Sequence, residues 1–320
     1  MLNINRSPVA PILHLMPAIV EARALLNQRT IKRPVTLKGV GLHSGLDAKV
    51  TIHPAPANTG VVFLAGGSRI KASYENVADT SYATTLRSGE VKAATVEHLL
   101  AALSGLRIDN AYIELYGSEV PILDGSALPF VQALKAAGLA VLDAPRKYMK
   151  IIKAVTVHEG DKSASFLPSP APRITCRIDF DRPPISDQSR SVDVDPGFFE
   201  RELAPARTFG FMHEVEMLRR MGLARGGSLD NAVVVDGERV LNEEGLRFPD
   251  EFVRHKMLDI VGDVSLAGMP VIAHIVADKS GHELNQRLLR EVFARPDCWI
   301  VVEGEPEYTE APAIYAEALP

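Results

Sequence analysis

Apolar and polar positions along the chain predict two successive groups of strands and helices. Alternation is typical of half-buried strands, and apolar positions three and four residues apart are typical of helices that pack on one side. The first group has predicted strands at residues 30–37, 48–53 and 110–116, with helices near 95–103 and 126–137. The second has strands at 150–158, 174–180, 232–235 and 271–277, with helices near 249–267 and 282–293.

This recurrence predicts an α+β fold of two similar domains, each with a sheet packed on two helices. Residues 142–146 are a suitable join, which gives a first domain at 28–145 and a second domain at 146–306. Residues 1–27 then form an N-terminal extension and residues 307–320 a tail, and we expect both to be flexible.

The predicted helix at 249–267 carries the strongest chemical signal. Its first residues, Pro249-Asp250-Glu251, suit a first turn, where a missing N–H costs nothing and negative charge meets the positive end of the helix dipole. At 100° per residue, one side of this helix presents three polar residues one turn apart, namely His255, Asp259 and Asp263. Apolar residues gather on the opposite side, namely Met257, Val261 and Val264. Burial of this polar side would cost free energy unless its side chains bind a ligand.

His255 and Asp259 have the spacing of two ligands for one divalent cation, although this pattern alone also fits a solvated helix face. A catalytic zinc site commonly takes three protein ligands, so a third must come from elsewhere. His98 is the candidate, on a helix for which Thr95 is a plausible N-cap. The neighbouring Glu97 suits a general base, whereas the alternative is that both residues are ordinary surface positions.

A third candidate is His282 in the segment KSGHE at 279–283. Ser280 and Glu283 have the spacing of a capping box, which predicts that His282 lies in the first turn of a helix. The dipole there disfavours the imidazolium, whereas a carboxylate such as Asp263 would favour it. The pattern therefore fits a catalytic acid whose pKa is set by its surroundings, and it equally fits a surface histidine near a helix cap.

Composition and charge limit the classes of function. The 320 residues contain 35 Lys+Arg and 40 Asp+Glu, without the basic run that nucleic-acid binding would require. The two cysteines, Cys176 and Cys298, form no disulfide framework, which favours the reducing cytoplasm. No apolar run approaches the roughly 20 residues needed to cross a bilayer. Prolines at 8, 11 and 17 make the first segment poor material for a signal peptide.

From about Gln28 to its end, the sequence resembles a known family of metal-dependent enzymes. The matching blocks are GVGLHSG at 39–45, TVEHL at 95–99, IDNA at 108–111, VPILDGS at 120–126, ARTFGF at 206–211, LNEEGLRF at 241–248, FVRHK at 252–256 and KSGH at 279–282. In these blocks and their order it resembles the UDP-3-O-acyl-N-acetylglucosamine deacetylases of lipid A synthesis in Gram-negative bacteria. The resemblance implies that the helix layers of the two domains face each other across the active site.

The resemblance also implies the roles of the site residues. His98, His255 and Asp259 would hold Zn²⁺, with Fe²⁺ as the other candidate, and Glu97 would activate the water that attacks an acetamide carbonyl. His282, paired with Asp263, would help to stabilise the developing charge and to protonate the leaving amine. Thr208 would donate to the oxyanion, and Lys256 would line the same site. These positions offer a candidate for each requirement of amide hydrolysis.

A long 3-O-acyl chain and a UDP diphosphate also need places to bind. The resemblance implies an acyl passage in an insert of the second domain at about 208–236. Its lining would combine small and apolar residues, namely Leu42, Phe211, Val215, Ala224, Ser228, Ala232 and Val234, and Phe209 would also bind substrate. Lys256 and Lys279 are candidates for the diphosphate. Taken alone, the same stretch fits a closed, packed helix and strand.

Two other functions stay open at this stage. A non-catalytic protein that binds a nucleotide sugar would keep the fold but would not need an acid beside a metal ligand. Another zinc amidohydrolase, such as a peptidase, is less favoured because the H-E-x-x-H pattern is absent. We expect a monomer that binds a small substrate without nucleic acid or stable membrane insertion. The sequence leaves the preferred acyl length open.

Overall fold

The computed structural model describes residues 26–180 and 184–303, so the predicted tail and residues 1–25 of the predicted extension lie outside the described residues. The first half of the described chain contains ten strands and two helices. In chain order these are β1 (Asn27–Ile31), β2 (Val35–Val40), β3 (Asp47–Pro54), β4 (Val61–Ala65), β5 (Ser68–Lys71), β6 (Val77–Asp79), β7 (Thr85–Ser88), β8 (Val91–Ala93), α1 (Glu97–Gly105), β9 (Ala111–Tyr116), α2 (Leu128–Ala137) and β10 (Leu139–Pro145).

The second half repeats the alternation of strands with helices and contains two three-stranded sheets where the first half contains one. Its elements are β11 (Lys147–Ile151), β12 (Val155–Glu159), β13 (Lys162–Leu167), β14 (Arg173–Ile178), β15 (Gln188–Asp193), α3 (Pro196–Phe198), β16 (Phe209–Phe211), α4 (Met212–Arg220), β17 (Val233–Asp236), β18 (Arg239–Val240), α5 (Glu251–Val264), β19 (Val271–Ile272), β20 (His274–Asp278), α6 (His282–Ala294) and β21 (Trp299–Glu303). A π-helical turn at Phe199–Leu203 follows α3, and a 3₁₀ turn at Ser265–Ala267 continues α5.

The main sheets of the two halves have the same topology. The first runs β2-β3-β9-β4-β5 and the second β12-β13-β20-β14-β15. In each, the strand that follows a long helix inserts between two hairpins, antiparallel to one neighbour and parallel to the other. The predicted α+β fold of two similar sheet-and-helix halves is therefore confirmed, and the internal repeat shows in strand order.

Alternating side chains explain why these strands form. In β3, Ala48, Val50 and Ile52 are buried while the residues between them are more exposed. In the neighbouring β9, Ala111 and Ile113 follow the same alternation. One face of each sheet therefore joins the hydrophobic core, which also takes in the buried sides of the helices.

The helices α1 and α5 pack directly against each other between the two sheets. Their backbones approach closely at Gly262, where an added Cβ would lie 2.2 Å from the carbonyl oxygen of Glu97. Glycine is needed at this position because any side chain would press on the backbone of the other helix. This contact brings the first turn of α1 beside the last turns of α5.

The join between the halves is held by a buried arginine. Arg146 donates from Nε to Oδ1 of Asp109 at 2.9 Å and from Nη2 to Oδ2 at 2.7 Å. The same carboxylate accepts the backbone N–H of Arg29 in β1 at 2.7 Å. The segment IDNA at 108–111 therefore has a structural role. It connects β1, the end of α1 and the join between the two halves.

Several local expectations from the sequence are wrong. The predicted strands at 30–37, 150–158 and 271–277 are each broken into two, since the chain changes sheet within them. Thr95 does not cap α1, which begins after Val96 without a side-chain cap. Ser280 and Glu283 form no capping box, because their side chains bond instead to Asn285 and Thr80. No helix in residues 26–180 and 184–303 is long and apolar enough to cross a membrane.

Candidate functional site

Three buried side chains from the two packed helices converge on one point. His98 comes from the first turn of α1, and His255 and Asp259 come from successive turns of α5. Nε2 of His98 lies 3.6 Å from Oδ1 of Asp259, and Nε2 of His255 lies 3.4 Å from the same oxygen. One potential ligand atom from each residue lies within 4.8 Å of the other two.

These three residues fit a small divalent cation. Two ligands about 2.1 Å from a tetrahedral ion lie about 3.4 Å apart, close to the observed separations. Oδ1 of Asp259 is buried without a hydrogen-bond partner among the described residues, so this oxygen is free to act as a ligand. Nδ1 of His255 is 3.0 Å from the carbonyl oxygen of Ala206. Because a carbonyl only accepts, Nδ1 carries the proton and Nε2 offers its lone pair.

The electrostatics of the cluster also suit a cation. Burial lowers the pKa of His255 to about 4, which keeps its ring neutral. Burial alone would raise the pKa of Asp259, but the ammonium group of Lys256 helps to lower it well below its usual range. Nζ of Lys256 donates to Oδ2 of Asp259 at 2.7 Å, and so leaves Oδ1 facing the imidazoles. The site therefore presents the carboxylate of Asp259 and the neutral imidazole of His255 to a cation.

Glu97 lies beside the cluster, one residue before His98. Its Oε2 accepts the backbone N–H of Thr84 at 3.0 Å, and its side chain is buried. Desolvation raises the pKa of Glu97, with part of that rise offset by His282 and His98. A carboxylate with a raised pKa next to a cluster of metal-ligand type is suited to accept a proton from water.

His282 forms a buried pair with Asp263 on the other side of Glu97. Nδ1 of His282 is 2.8 Å from Oδ2 of Asp263. The other partners of this carboxylate are Thr84, whose hydroxyl donates to Oδ1 at 2.6 Å, and Asn285, whose Nδ2 donates to Oδ2 at 2.8 Å. Although burial lowers the pKa of His282, the Asp263 carboxylate and its hydrogen bond dominate and raise it to about 9. The ring is therefore protonated at neutral pH.

A second buried ion pair holds α5 against the segment that contains Thr208. Nε of Arg207 donates to Oε1 of Glu251 at 2.9 Å, and the backbone N–H of Arg207 donates to the same oxygen at 3.0 Å. Glu251 stands one turn before His255 on α5, and Ala206 supplies the carbonyl that orients the ring of His255. The segment ARTFGF at 206–211 thus orients the ring of His255 through its backbone.

A slot of about 260 Å³ lies between the insert and the first half. Six of the seven residues expected to line an acyl passage do line this slot, namely Leu42, Val215, Ala224, Ser228, Ala232 and Val234. Thr208 and Phe209 line it too. The ring of Phe209 packs edge-on against the ring of His255, with centroids 6.1 Å apart. The slot therefore begins beside the cluster and continues into the insert.

Two of the expected substrate-binding residues lie elsewhere. Phe211 is outside the slot lining, and its ring packs against Phe180 and His213. Phe209 and Phe211 share one face of β16 and both contact Phe180, but Phe211 lies two residues further along the strand, and of the two only Phe209 packs against His255. Lys279 is also outside the slot lining and forms an ion pair with the exposed Asp161.

Several residues of this region were not predicted from the sequence. Thr84 links Glu97 to Asp263, and Asn285 shares the carboxylate of Asp263 with His282. Asn285 stands three residues after His282 on α6. This helical spacing indicates that the two side chains lie on the same face, and it could have identified Asn285. His43 and Tyr82 line the slot from the first half. His43 falls within the matched block GVGLHSG, whereas Thr84 and Tyr82 lie outside every block.

Comparison with known proteins gives consistent results. The family model described as UDP-3-O-acyl N-acetylglycosamine deacetylase matches residues 28–294. Proteins named UDP-3-O-acyl-N-acetylglucosamine deacetylase are similar over most of the chain. The one from Myxococcus xanthus is 53% identical over 280 residues, which cover 86% of this chain and 89% of its own length. Those from Pseudomonas entomophila and Hahella chejuensis are 50% and 49% identical, and the matches cover 91% and 92% of this chain and 98% and 99% of theirs.

Proposed function

The chain belongs to the UDP-3-O-acyl N-acetylglycosamine deacetylase family, and we propose that it hydrolyses the acetamide of UDP-3-O-(3-hydroxyacyl)-N-acetylglucosamine to a free amine and acetate. The observation that carries this proposal is the convergence of His98, His255 and Asp259 beside Glu97. A protein that only binds a nucleotide sugar has no need for a base next to such a cluster.

We propose that His98, His255 and Asp259 hold one divalent ion, Zn²⁺ or Fe²⁺. The support is the free Oδ1 of Asp259 and the proton on Nδ1 of His255, which leaves Nε2 available. When bound there, the ion supplies Lewis acidity, which lowers the pKa of water and polarises a carbonyl. Lys256 balances the negative charge of the Asp259 carboxylate and lies where it can also meet negative charge on the substrate.

Glu97 is the proposed general base. Its carboxylate is buried next to His98, and the N–H of Thr84 fixes its orientation. Burial raises the pKa of this carboxyl, which makes it a better proton acceptor than an exposed glutamate. In the proposed reaction Glu97 takes the proton of the water that attacks the amide carbonyl.

His282 is the proposed acid for the leaving amine. Its ring is protonated near neutral pH because the Asp263 carboxylate raises its pKa to about 9. Asp263 accepts from Thr84 and Asn285 as well, so its carboxylate is held in one orientation. The positive ring stabilises developing negative charge, and its proton passes to the amine nitrogen as the C–N bond breaks.

Thr208 is the proposed hydroxyl donor to the tetrahedral oxyanion. It lines the slot beside Phe209, and its backbone is held on both sides. Its N–H donates to the carbonyl of Gly125 at 2.8 Å, and its own carbonyl accepts from Val233 at 2.8 Å. A hydroxyl on such a fixed backbone needs little reorganisation when charge develops on the carbonyl oxygen.

The slot is the proposed site of the 3-O-acyl chain. Its lining is mainly apolar, with the small residues Ala224, Ser228 and Ala232 leaving the space. Lys279 stays a proposed diphosphate contact, which would require the exchange of its ion pair with Asp161 for substrate phosphate. Lipid A synthesis in the cytoplasm is the proposed setting, and the buried free thiols Cys176 and Cys298 support a reducing compartment.

Release of acetate from UDP-3-O-(3-hydroxyacyl)-N-acetylglucosamine tests the proposal. We expect stoichiometric acetate and free amine, with no release from a matched substrate whose acetamide is replaced by an N-methyl amine. Tight binding of the substrate without acetate release by the metal-loaded protein would instead identify a binding protein. Cleavage of acetylated peptides at a comparable rate would indicate a different amidohydrolase.

A further inference from the structure

Glu119, which no step above uses, has a buried carboxylate that contacts two separate parts of the site. It lies between β9 and α2, and 4% of its surface is exposed. Its Oε1 accepts the backbone N–H of His43 at 2.8 Å, and its Oε2 accepts that of Ser44 at 2.9 Å. Oε1 also accepts the hydroxyl of Thr95 at 3.0 Å. A buried carboxylate with three donors to satisfy it holds those donors in place.

The first of these contacts holds a loop that forms one wall of the slot. Residues 41–45 carry Leu42 and His43, which both line the slot. The loop wraps closely around the carboxylate, since a Cβ on Gly41 would lie 2.2 Å from Oε2 of Glu119. A larger residue at this position would force the loop and the Glu119 carboxylate apart.

The insert of the second half docks on the same loop. The N–H of Gly226 donates to the carbonyl of Leu42 at 3.0 Å, and that of Arg225 donates to the carbonyl of His43 at 3.3 Å. A Cβ on Gly226 would lie 2.2 Å from the carbonyl oxygen of Gly41, so the two backbones are in direct contact. The position of the loop therefore sets both walls of the slot near Leu42.

The other contact holds the start of α1. Thr95 has φ +56°, a left-handed conformation that a β-branched residue rarely adopts without compensation. The helix begins two residues later at Glu97, with no side-chain cap of its own. The backbone around Glu119 is paired with this segment, because Ala94 donates to Ser118 at 2.9 Å and Val120 donates to Ala94 at 3.0 Å. The Thr95 hydroxyl adds a side-chain bond to that pairing.

We propose that Glu119 is a positioning residue that couples the acyl slot to the catalytic base, by fixing the loop 41–45 and the start of α1 through one carboxylate. This inference rests on the proposed deacetylase function. It assigns Glu119 no contact with substrate. Its effect passes through Leu42 and His43 to the acyl chain, and through Thr95 to Glu97.

Glu119→Gln is the first test, because the amide keeps the shape of the side chain but directs an NH₂ at a backbone N–H. We expect kcat/KM for a long-chain substrate to fall by about tenfold to hundredfold. The preference for long over short 3-O-acyl chains should shrink at the same time. Glu114→Gln is the matched control, since Glu114 is a half-exposed carboxylate on β9 whose partner is His53.

Thr95 variants separate the two contacts. Thr95→Val removes the hydroxyl at similar volume, and we expect kcat to fall while KM and chain preference stay within about twofold of wild type. Thr95→Ser keeps the hydroxyl and should restore kcat. A role limited to fold stability would change the folded fraction in Glu119→Gln but would leave kcat, KM and chain preference per folded enzyme unchanged.

Hydrogen exchange gives a readout that does not depend on activity. Faster exchange in both 41–45 and 94–98 of Glu119→Gln, with Glu114→Gln like wild type, is the expected result. Glu119→Gln with wild-type exchange, kcat, KM and chain preference would overturn the inference. If this variant does not fold, wild-type kcat in Thr95→Val overturns it. Absence of acetate release by the wild-type enzyme would count against the proposed function, while the exchange comparison would still test the coupling.

Discussion

At the scale of single residues, the proposed acid and the proposed base have different surroundings. Glu97 and Asp263 are both buried carboxyl groups near His282, yet only Asp263 is its direct partner. Glu97 bonds instead to a neutral backbone N–H, and burial raises its pKa. The surroundings raise both pKa values for different reasons, burial for Glu97 and the Asp263 carboxylate for His282, so that Glu97 suits a base and His282 an acid at neutral pH.

Replacement of Glu97 by Gln tests the base. We expect the Glu97→Gln enzyme to keep its metal and to lose about 10²- to 10⁴-fold in kcat, because the amide cannot take a proton. His98→Ala is the matched variant one residue away and should lose metal and turnover together. Metal analysis and acetate release on the same samples give the comparison. Undiminished kcat in metal-loaded Glu97→Gln would remove Glu97 from the mechanism.

The raised pKa of His282 makes a prediction about pH. Since this pKa is about 9, the ring is protonated below that pH and loses its proton as the pH rises through it. Activity that needs the protonated ring should therefore fall on the basic side with a midpoint near that value. A profile of kcat/KM over roughly pH 6 to 10 measures this limb. His282→Gln should be slow and lack it, and the same limb at the same pH in that variant would refute the assignment.

At the scale of secondary-structure elements, the crossing of α1 and α5 builds the site. The two helices carry all three proposed ligands and the base, and they meet at Gly262 against the backbone of Glu97. Regular helices hold side chains more accurately than loops do. The geometry of the cluster therefore depends on how closely these helices approach.

Gly262→Ala tests that dependence. The new methyl group would lie 2.2 Å from the carbonyl oxygen of Glu97, so α1 must shift away from α5. We expect the free energy of unfolding to fall by about 1–3 kcal/mol and metal affinity to fall with it. Denaturant unfolding of the metal-free protein and a metal titration measure the two effects. Gly281→Ala is the control, since its added methyl group would meet nothing within 4 Å, and equal behaviour of both variants would contradict this account.

The slot in the insert leads to a prediction about chain length. Ala232→Leu adds bulk to the lining and should lower kcat/KM for long 3-O-acyl substrates by at least about tenfold. A substrate with a short acyl group should be affected about twofold or less, because it does not reach this position. Ala136→Leu adds the same side chain to an exposed position of α2 and serves as the control. Equal losses for long and short chains in Ala232→Leu would place the acyl group elsewhere.

At the scale of the whole molecule, local patterns in the sequence predicted individual site residues better than the long-range contacts that bring those residues together. Helical spacing was enough to place His255, Asp259 and Asp263 on one face of α5. The structure brings His98 to that face through long-range packing of α1, which periodicity does not encode. Thr84 was missed because its role depends on bonds to residues 13 and 179 positions away.

The fold shows the same division between local and long-range information. Alternation in β3 and β9 is visible in the sequence and leads directly to two buried faces. The breaks in the strands predicted at 30–37 and 150–158 depend on where the chain leaves one sheet for another. The caps expected at Thr95 and Ser280 did not form because other side chains took their hydroxyl groups, Glu119 at a distance of 24 residues for Thr95 and the nearby Asn285 for Ser280. Tertiary contacts override local propensity at such positions.

The central claim is that the two halves of the chain together hold one metal ion that supports deacetylation. The most direct test is to measure metal content and acetate release on the same wild-type samples, before and after chelation and after Zn²⁺ is restored. We predict about one ion per chain, acetate release in proportion to bound metal, and recovery when Zn²⁺ returns. Full acetate release by the metal-free protein, or none by the fully loaded protein, would contradict the claim.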